Sequence, residues 1–131
     1  MNQTVLPGSR SGTAVAPASK SQAHRYLICA ALGSEKTDIK CRGISKDIAA
    51  TAACLNAAGA EIVFDGETIK VTPVKNGDGA RRVLPCGESG STLRFMMAVA
   101  GALGLSADFK MEGRLKDRPL APYDDELRRH G

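Results

Sequence analysis

Hydrophobic positions recur at helical spacing in several parts of the chain. Two of these segments follow Ser19 and Ser45, and serine is a favoured residue just before a helix. A third segment is apolar on nearly every side after Arg94, which predicts a central, buried helix. The pattern predicts helices over residues 20–32, 46–58, about 90–103 and about 119–130.

Short β-rich segments alternate with these helices. The pair Asp65-Gly66 is typical of a type I′ turn, so residues 61–64 and 67–71 should form a hairpin. Residues 73–80 are polar and carry glycine, which indicates a loop. The predicted strands cover residues 12–16, 38–41, 61–64, 67–71, 82–85 and 107–111.

The order of elements begins again after the hairpin. Ser19-Lys20-Ser21 and Ser89-Gly90-Ser91 precede similar helices 70 residues apart. We interpret the chain as an α/β (α+β) fold with two copies of a β-α-β-α-β-β unit, over residues 19–80 and 81–131. Residues 1–18 would form an arm and the first strand. The second copy lacks a hairpin, so we expect a truncated sequence; two unrelated α/β segments are the alternative.

Composition and charge limit the classes of ligand that the protein could bind but do not identify one. The net charge is +4, no Lys/Arg run is longer than two, and aromatic residues are scarce. These features suit an anionic small molecule better than nucleic acid. The four cysteines lack C-x-x-C spacing, so we expect no metal, and reduced thiols indicate a cytoplasmic protein. Neither a signal peptide nor a membrane-spanning segment is expected.

The main chemical signal is positive charge where predicted helices begin. A helix N-terminus carries a partial positive charge, which disfavours nearby Lys and Arg. Cations nevertheless gather at three predicted helix starts. If these starts converge, the cations and free backbone N–H groups would bind a phosphorylated ligand. The residues concerned are Lys20 and Arg25, then Arg94 after Gly90, and finally Arg114, Lys116 and Arg118 before Pro119.

Each of these residues also has an ordinary structural interpretation. Lys20 alone could be a solvated surface lysine, and Arg25 could pair with Asp47. Arg94 is harder to explain in this way, because an arginine at the head of an apolar helix needs a partner. His24 could act as an acid or base, but we expect a helix-face residue beside the site and leave its role open.

The motifs around these cations resemble those of the EPSP synthase family. Residues 17–25, P-A-S-K-S-Q-A-H-R, are similar to its signature P-x-S-K-S-x-x-x-R, and residues 86–95 are similar to G-x-x-G-T/S-x-x-R. Residues 113–119 resemble G-x-x-R-x-K-x-R-P with one residue fewer before the first Arg. Ser45-Lys46-Asp47 departs from the family's S-D-D by carrying Lys at the first acid.

The resemblance implies a fold, an activity and roles for individual residues. The fold would be part of the N-terminal lobe of an enolpyruvyl transferase, with one and a half to two repeats. The activity would move the enolpyruvyl group of phosphoenolpyruvate to the 5-hydroxyl of shikimate 3-phosphate, on the route to chorismate and the aromatic amino acids. Lys20, Ser21 and Arg25 would bind shikimate 3-phosphate, and Lys20, Gly90, Arg94 and Arg118 would bind phosphoenolpyruvate, with Lys20 as the catalytic candidate.

The same resemblance implies an incomplete site. No metal or organic cofactor is implied, and neither nucleic acid nor membrane is an expected partner. The family's acid/base residues and further arginines would lie in a missing C-terminal remainder, so the chain alone should be inactive. A non-catalytic phosphate-binding module and a fragment similar to UDP-N-acetylglucosamine enolpyruvyl transferase are the alternatives, although Ser21 and Arg25 argue against the second.

Overall fold

A computed structural model describes residues 3–75 and 80–130. Four α-helices, five strands and one 3-10 helix follow one another in this part of the chain. The elements are α1 (Lys20–Ala31), β1 (Thr37–Lys40), α2 (Lys46–Ala57), β2 (Glu61–Asp65), β3 (Thr68–Thr72), β4 (Arg82–Gly87), α3 (Gly90–Ala102), β5 (Ala107–Met111), the 3-10 helix (Gly113–Asp117) and α4 (Tyr123–Arg129).

Serine caps determine where the first three helices begin. The hydroxyl oxygens of Ser19, Ser45 and Ser89 each accept a hydrogen bond from the backbone N–H three residues later. Each bond satisfies a donor that the first helical turn leaves free. The predicted helices 20–32, 46–58 and 90–103 are therefore confirmed to within a residue or two.

Two small sheets accompany these helices. In the first, β3 lies between β1 and β2 and pairs antiparallel with both. In the second, β4 and β5 pair in parallel, and α3 makes the connection between them. A parallel pair needs such a crossover, so the mixed α/β fold class is confirmed.

The hairpin is confirmed, but its turn lies one residue later than predicted. Asp65 still pairs with Thr68, which leaves Gly66 and Glu67 as the two central residues. Gly66 has φ +58°, whereas no residue other than glycine has positive φ in the described chain. A type I′ turn needs positive φ at both central positions, so this geometry excludes it.

The predicted first strand, residues 12–16, is wrong. The structure gives residues 3–19 no helix or strand, and Val15 remains 68% exposed. No strand in the described residues pairs with this segment, so its alternating side chains gain no buried face. The arm is attached through the Ala18 N–H, which donates to the Arg42 carbonyl at 3.2 Å.

The predicted last helix begins too early. Arg118 has the extended angles φ −81° and ψ 133°, and this geometry by itself would suit a helix that begins at Pro119. The obstacle is Pro122, because proline disfavours helical geometry in the residue before it, and Ala121 would lie in the first turn of that helix. The chain therefore forms the 3-10 helix, then an irregular segment, and begins α4 only at Tyr123.

The predicted central burial of α3 is also wrong. Leu93, Met96 and Val99 are buried, but Ala98 and Ala102 are exposed. The helix packs mainly on α2 and β4, and its other side faces outward. Although α3 is apolar on nearly every side, only one of its sides is buried in this chain.

The core forms around α2, which contacts α1, α3, β2 and β4. Small residues on α2, such as Ala52, let these neighbours approach closely. Aliphatic side chains from every layer fill the remaining space, and burial of each contributes about 1.5–3 kcal/mol. The largest fully buried ones are Leu27, Ile48, Leu55, Ile69, Leu84, Leu93 and Met96.

The observed boundaries keep the spacing of the proposed repeat over its first half. Helix α3 begins 70 residues after α1, and β5 begins 70 residues after β1. The similarity ends there, because the 3-10 helix and α4 stand where a second copy of α2 would be. The division into units 19–80 and 81–131 remains a prediction; residues 76–79 and 131 lie outside the described residues.

The described ranges contain no helix long and apolar enough to cross a membrane. Within the same ranges, no group of three or more His, Cys, Asp or Glu side chains is placed to hold a metal ion.

The hairpin turn yields a test of the fold. A Cβ at Gly66 would have open space, so backbone strain alone decides the effect of a substitution there. We expect Gly66→Ala to lower the free energy of unfolding by about 1 kcal/mol in urea titrations. Gly66→Asn should lose less, since asparagine adopts positive φ more readily. Equal stability of wild type and Gly66→Ala would contradict the turn.

Candidate functional site

Three helix starts meet in the structure, but they are not the three that the sequence predicted. The starts of α1, α2 and α3 form one cluster, whereas α4 begins only at Tyr123, whose hydroxyl donates to the Arg94 carbonyl at 2.8 Å. Arg114 and Lys116 lie on the 3-10 helix, and Arg118 follows it. The third contributor is α2, through Asp47 in its first turn.

Lys20 connects the starts of α1 and α2. Its Nζ donates to Oδ2 of Asp47 at 2.6 Å, and the two side chains are 50% and 31% exposed. This hydrogen bond holds the pKa of the Asp47 carboxyl below its ordinary value, against the opposing effect of burial. The neighbouring Ser89 hydroxyl lowers the same pKa further. The alternative pairing of Arg25 with Asp47 is not observed.

Arg25 connects the start of α1 to α3. Its guanidinium carbon lies 5.4 Å from the centre of the Phe95 ring, which is within the range of a cation–π contact. Its Nη1 also donates to the Ser21 carbonyl at 2.8 Å. Ser21 and Arg25 are both exposed and lie one turn apart, so the same face of α1 presents them together.

Two further guanidinium groups meet at Gly90, the first residue of α3. A Cβ at this position would lie 3.2 Å from Nη1 of Arg118 and 3.3 Å from Nη1 of Arg94. Arg94 also donates through Nη2 to the Pro119 carbonyl at 3.1 Å, which holds the two segments together. Within residues 3–75 and 80–130, no carboxylate pairs with either arginine. Two positively charged groups that converge on one position favour binding of an anion there.

Four polar side chains, connected in series, lie buried beneath the cations. Nδ1 of His24 is 2.6 Å from Oγ1 of Thr51, which is 2.8 Å from Oγ1 of Thr92, which in turn is 2.8 Å from Oγ of Ser89. All four residues are at most 3% exposed. These four side chains link α1, α2 and α3 near the N-terminal ends of the helices.

The structure thus brings together most of the predicted site residues. Gly90, Arg94 and Arg118 form one group, and Lys20 and Arg25 reach the starts of α2 and α3 from α1. Arg114 lines a groove of about 270 Å³ together with Asp117 and with Arg118 of this group. No contact of Lys116 with the cluster is observed among the described residues.

Sequence reasoning gave no role in the cluster to the polar residues that hold it together, namely Asp47, Thr51, Ser89 and Thr92. Asp47 had a signal, because it lies in the segment that is similar to the family's S-D-D. Ser89 had another, because its spacing to Thr92 matches a serine cap and the residue whose N–H it accepts. Thr51 lies in the middle of α2, where nothing in the local pattern distinguishes it from a solvated threonine.

The sequence matches known proteins of one family. The family model of EPSP synthase (3-phosphoshikimate 1-carboxyvinyltransferase) matches residues 7–131. The 3-phosphoshikimate 1-carboxyvinyltransferase of Clostridium beijerinckii is 37% identical over 133 residues, which cover 93% of this chain and 30% of the relative. That of Clostridioides difficile is 32% identical over 129 residues, with 91% and 30% covered.

A solved structure shows the same fold. EPSP synthase from Acinetobacter baumannii matches with a TM-score of 0.76 and 22% sequence identity, over 97% of this chain and 30% of that one. The fold is that of the enolpyruvyl transferase class. The chain belongs to the EPSP synthase family. It spans about 30% of the length of the relatives it matches.

Gly90 gives a direct test of the arginine pair. In Gly90→Ala the new methyl group would press on both guanidinium groups, so the side-chain Nε–H signals of Arg94 and Arg118 should shift in NMR spectra. The free energy of unfolding should change by less than about 1 kcal/mol, because alanine is the better helix former.

Gly101→Ala is the matched control on the same helix. A Cβ at Gly101 would meet nothing within 4 Å, so this variant should leave both arginine signals unchanged. It should stabilise the chain by about 0.5–1 kcal/mol through helix propensity alone. Equal arginine shifts in the two variants would mean that Arg94 and Arg118 do not meet at Gly90.

Proposed function

We propose that this chain supplies part of the substrate site of a 3-phosphoshikimate 1-carboxyvinyltransferase. The observation that carries the proposal is the pair of guanidinium groups at Gly90, unmatched by a carboxylate within the described residues. Phosphoenolpyruvate carries both a phosphate and a carboxylate. Two arginines can bind such a ligand through several charge-assisted hydrogen bonds.

Ser21 and Arg25 would take the second substrate, shikimate 3-phosphate. They are exposed on one face of α1, and the contact with Phe95 turns Arg25 toward α3. Lys20 would stand between the two ligands as a mobile point charge. Its present partner, Asp47, would share it with the incoming phosphate.

In the proposed reaction these cations stabilise charge and do not move protons. The 5-hydroxyl of shikimate 3-phosphate would lose its proton and attack C2 of phosphoenolpyruvate, while the C3 methylene group takes up a proton. The resulting intermediate would then lose phosphate from C2 and a proton from the C3 methyl group, which restores the double bond. Lys20, Arg94 and Arg118 would hold the phosphate that bears the leaving charge. Groups for the proton transfers would come from the part of the protein that this chain does not span.

Ligand titrations with matched variants test the binding roles. We expect backbone signals at residues 20–25 to shift with shikimate 3-phosphate, and signals near Gly90 to shift with phosphoenolpyruvate, in NMR titrations up to millimolar ligand. Arg94→Gln should weaken phosphoenolpyruvate binding about 10-fold or more, since a charge-assisted hydrogen bond contributes about 1.5–3 kcal/mol. Arg25→Gln should do the same to shikimate 3-phosphate.

Arg129→Gln is the control, because it removes one positive charge from α4, where Arg129 pairs with Glu126. It should leave both affinities unchanged. Equal weakening by Arg129→Gln would indicate non-specific attraction by net charge. Absence of any shift with either ligand would contradict the proposed function.

The chain alone should not turn over its substrates. Mixed with both ligands, it should release no phosphate above background, because acid/base groups are not among its proposed site residues. Adding the remaining segment of the Clostridium beijerinckii relative is the complementary assay, in which phosphate release should appear. Turnover by the 131-residue chain alone would contradict this division of the site.

A further inference from the structure

His24 is a buried histidine with one unmatched nitrogen. The residue is 1% exposed, and its Nδ1 faces Thr51 at 2.6 Å. Its Nε2 is buried and has no hydrogen-bond partner in the described chain. A neutral imidazole carries its proton on only one of these nitrogens, and the neighbouring hydrogen bond decides which one.

The direction of the hydrogen bonds can be worked out from Thr92. Its hydroxyl lies 3.3 Å from the backbone carbonyl oxygen of Asp47, which can only accept, and 2.8 Å from Oγ of Ser89, to which it also donates. The single proton of Thr92 therefore points toward these two oxygens and away from Thr51.

The same counting fixes the remaining two contacts. Because the Thr92 proton is already used, Thr51 must donate across the 2.8 Å contact between the two threonines. Thr51 has no further proton, so Nδ1 of His24 must be the donor across 2.6 Å. All donors therefore point one way, from His24 through Thr51 and Thr92 toward Ser89 and the Asp47 carbonyl, and Lys20 donates to the side-chain carboxylate of the same Asp47.

We propose that His24 is a positioning residue: as the Nδ1–H imidazole it begins a one-way series of hydrogen bonds through Thr51 and Thr92 to Ser89 and the Asp47 carbonyl, which fixes Lys20 and Arg25 relative to Arg94. The consequence for ligand affinity rests on the proposed function above. The series starts on α1, passes through α2 and α3, and ends at Asp47, whose carboxylate binds Lys20 one turn before His24. Loss of one member would leave buried hydroxyl groups unmatched and let the helix starts move.

The charges around His24 agree with a neutral ring. Burial lowers its pKa most; the Asp47 carboxylate on α2 opposes this, while Lys20 and Arg25 on α1 lower it further. On α3 the neighbour is the uncharged ring of Phe95, with ring centres 6.2 Å apart. The unfolded chain therefore takes up a proton at a higher pH than the folded chain. Stability should be fully present above about pH 6.5 and decrease as the pH falls below that value.

The tautomer can be measured without any ligand. In the chain labelled with ¹⁵N-histidine, long-range ¹H–¹⁵N spectra at pH 7.5 should show His24 protonated on Nδ1 alone. His130, whose side chain is 82% exposed, is the internal reference, and His130→Gln assigns the two rings. Thr92→Val should abolish the preference for Nδ1–H at His24, because it removes the hydroxyl that orders Thr51. A ring protonated on Nε2 in the wild type would overturn the proposal.

Matched variants then separate positioning from simple packing. The side-chain amide of His24→Asn lies near the position of Nδ1 and can still donate to Thr51, whereas His24→Leu fills the space without a donor. At a temperature where circular dichroism shows every variant folded, His24→Leu and Thr92→Val should weaken shikimate 3-phosphate binding about 10-fold. The affinity of His24→Asn for shikimate 3-phosphate should stay within about 3-fold of the wild-type affinity. His130→Gln should bind this ligand as tightly as the wild type.

The outcomes distinguish this proposal from the proposed function. Unchanged affinity in folded His24→Leu and Thr92→Val would overturn the positioning role while leaving the substrate site intact. A wild type that binds neither ligand but shows Nδ1–H at His24 would overturn the proposed function and, with it, the effect on affinity. If His24→Leu does not fold, Thr51→Val and Thr51→Ser replace it: the serine variant should keep the tautomer and the affinity, and the valine variant should lose both.

Discussion

The arrangement of the site depends on a buried contact between two threonine hydroxyls. Thr51 in α2 and Thr92 in α3 are fully buried and lie 2.8 Å apart, with His24 on one side and Ser89 on the other. A hydroxyl buried without a partner costs about 1–3 kcal/mol, so these groups are stable only while the three helix starts remain in place. Aliphatic packing around α2 could tolerate a small shift of a helix. The polar contacts cannot, and they fix which surface residues face one another.

Repulsion between positive charges at the same helix starts opposes the close arrangement of these helices. Lys20, Arg25 and Arg94 stand where helix dipoles disfavour cations, and Arg118 joins Arg94 at Gly90. The chain offsets part of the repulsion through Asp47 and through the ring of Phe95. Gly90 has no side chain to fill the space between the two guanidinium groups. An anion there would complete the balance of charge, which is why the geometry fits a phosphorylated substrate.

Local signals were sufficient for most of the fold. Serine caps and apolar periodicity located α1, α2 and α3, since both are properties of a few neighbouring residues. Residues 12–16 were mistaken for a strand because alternation does not show whether a partner strand exists. The last helix was placed too early because the effect of Pro122 on Ala121 was not weighed against the favourable use of Pro119 in a first helical turn.

The kind of ligand that the candidate site would bind could be predicted from the sequence, but the contacts that position its residues could not. Cations in the motifs around Lys20, Gly90 and Arg118 indicated an anion site, and most of them do meet. The members that hold them in place were not visible, because Thr51 and Thr92 are 41 residues apart and neither is unusual in its own segment. The role of α2 follows only from tertiary packing, which brings Asp47 to Lys20.

A crystal structure of the chain with phosphoenolpyruvate and shikimate 3-phosphate would test the central claim most directly. The account predicts one phosphate beside Gly90 in contact with Arg94 and Arg118, the other ligand against Ser21 and Arg25, and the hydroxyl contacts from His24 to Ser89 intact beneath them. Ligands bound elsewhere, or α1 and α3 presenting their cations to separate surfaces, would contradict it.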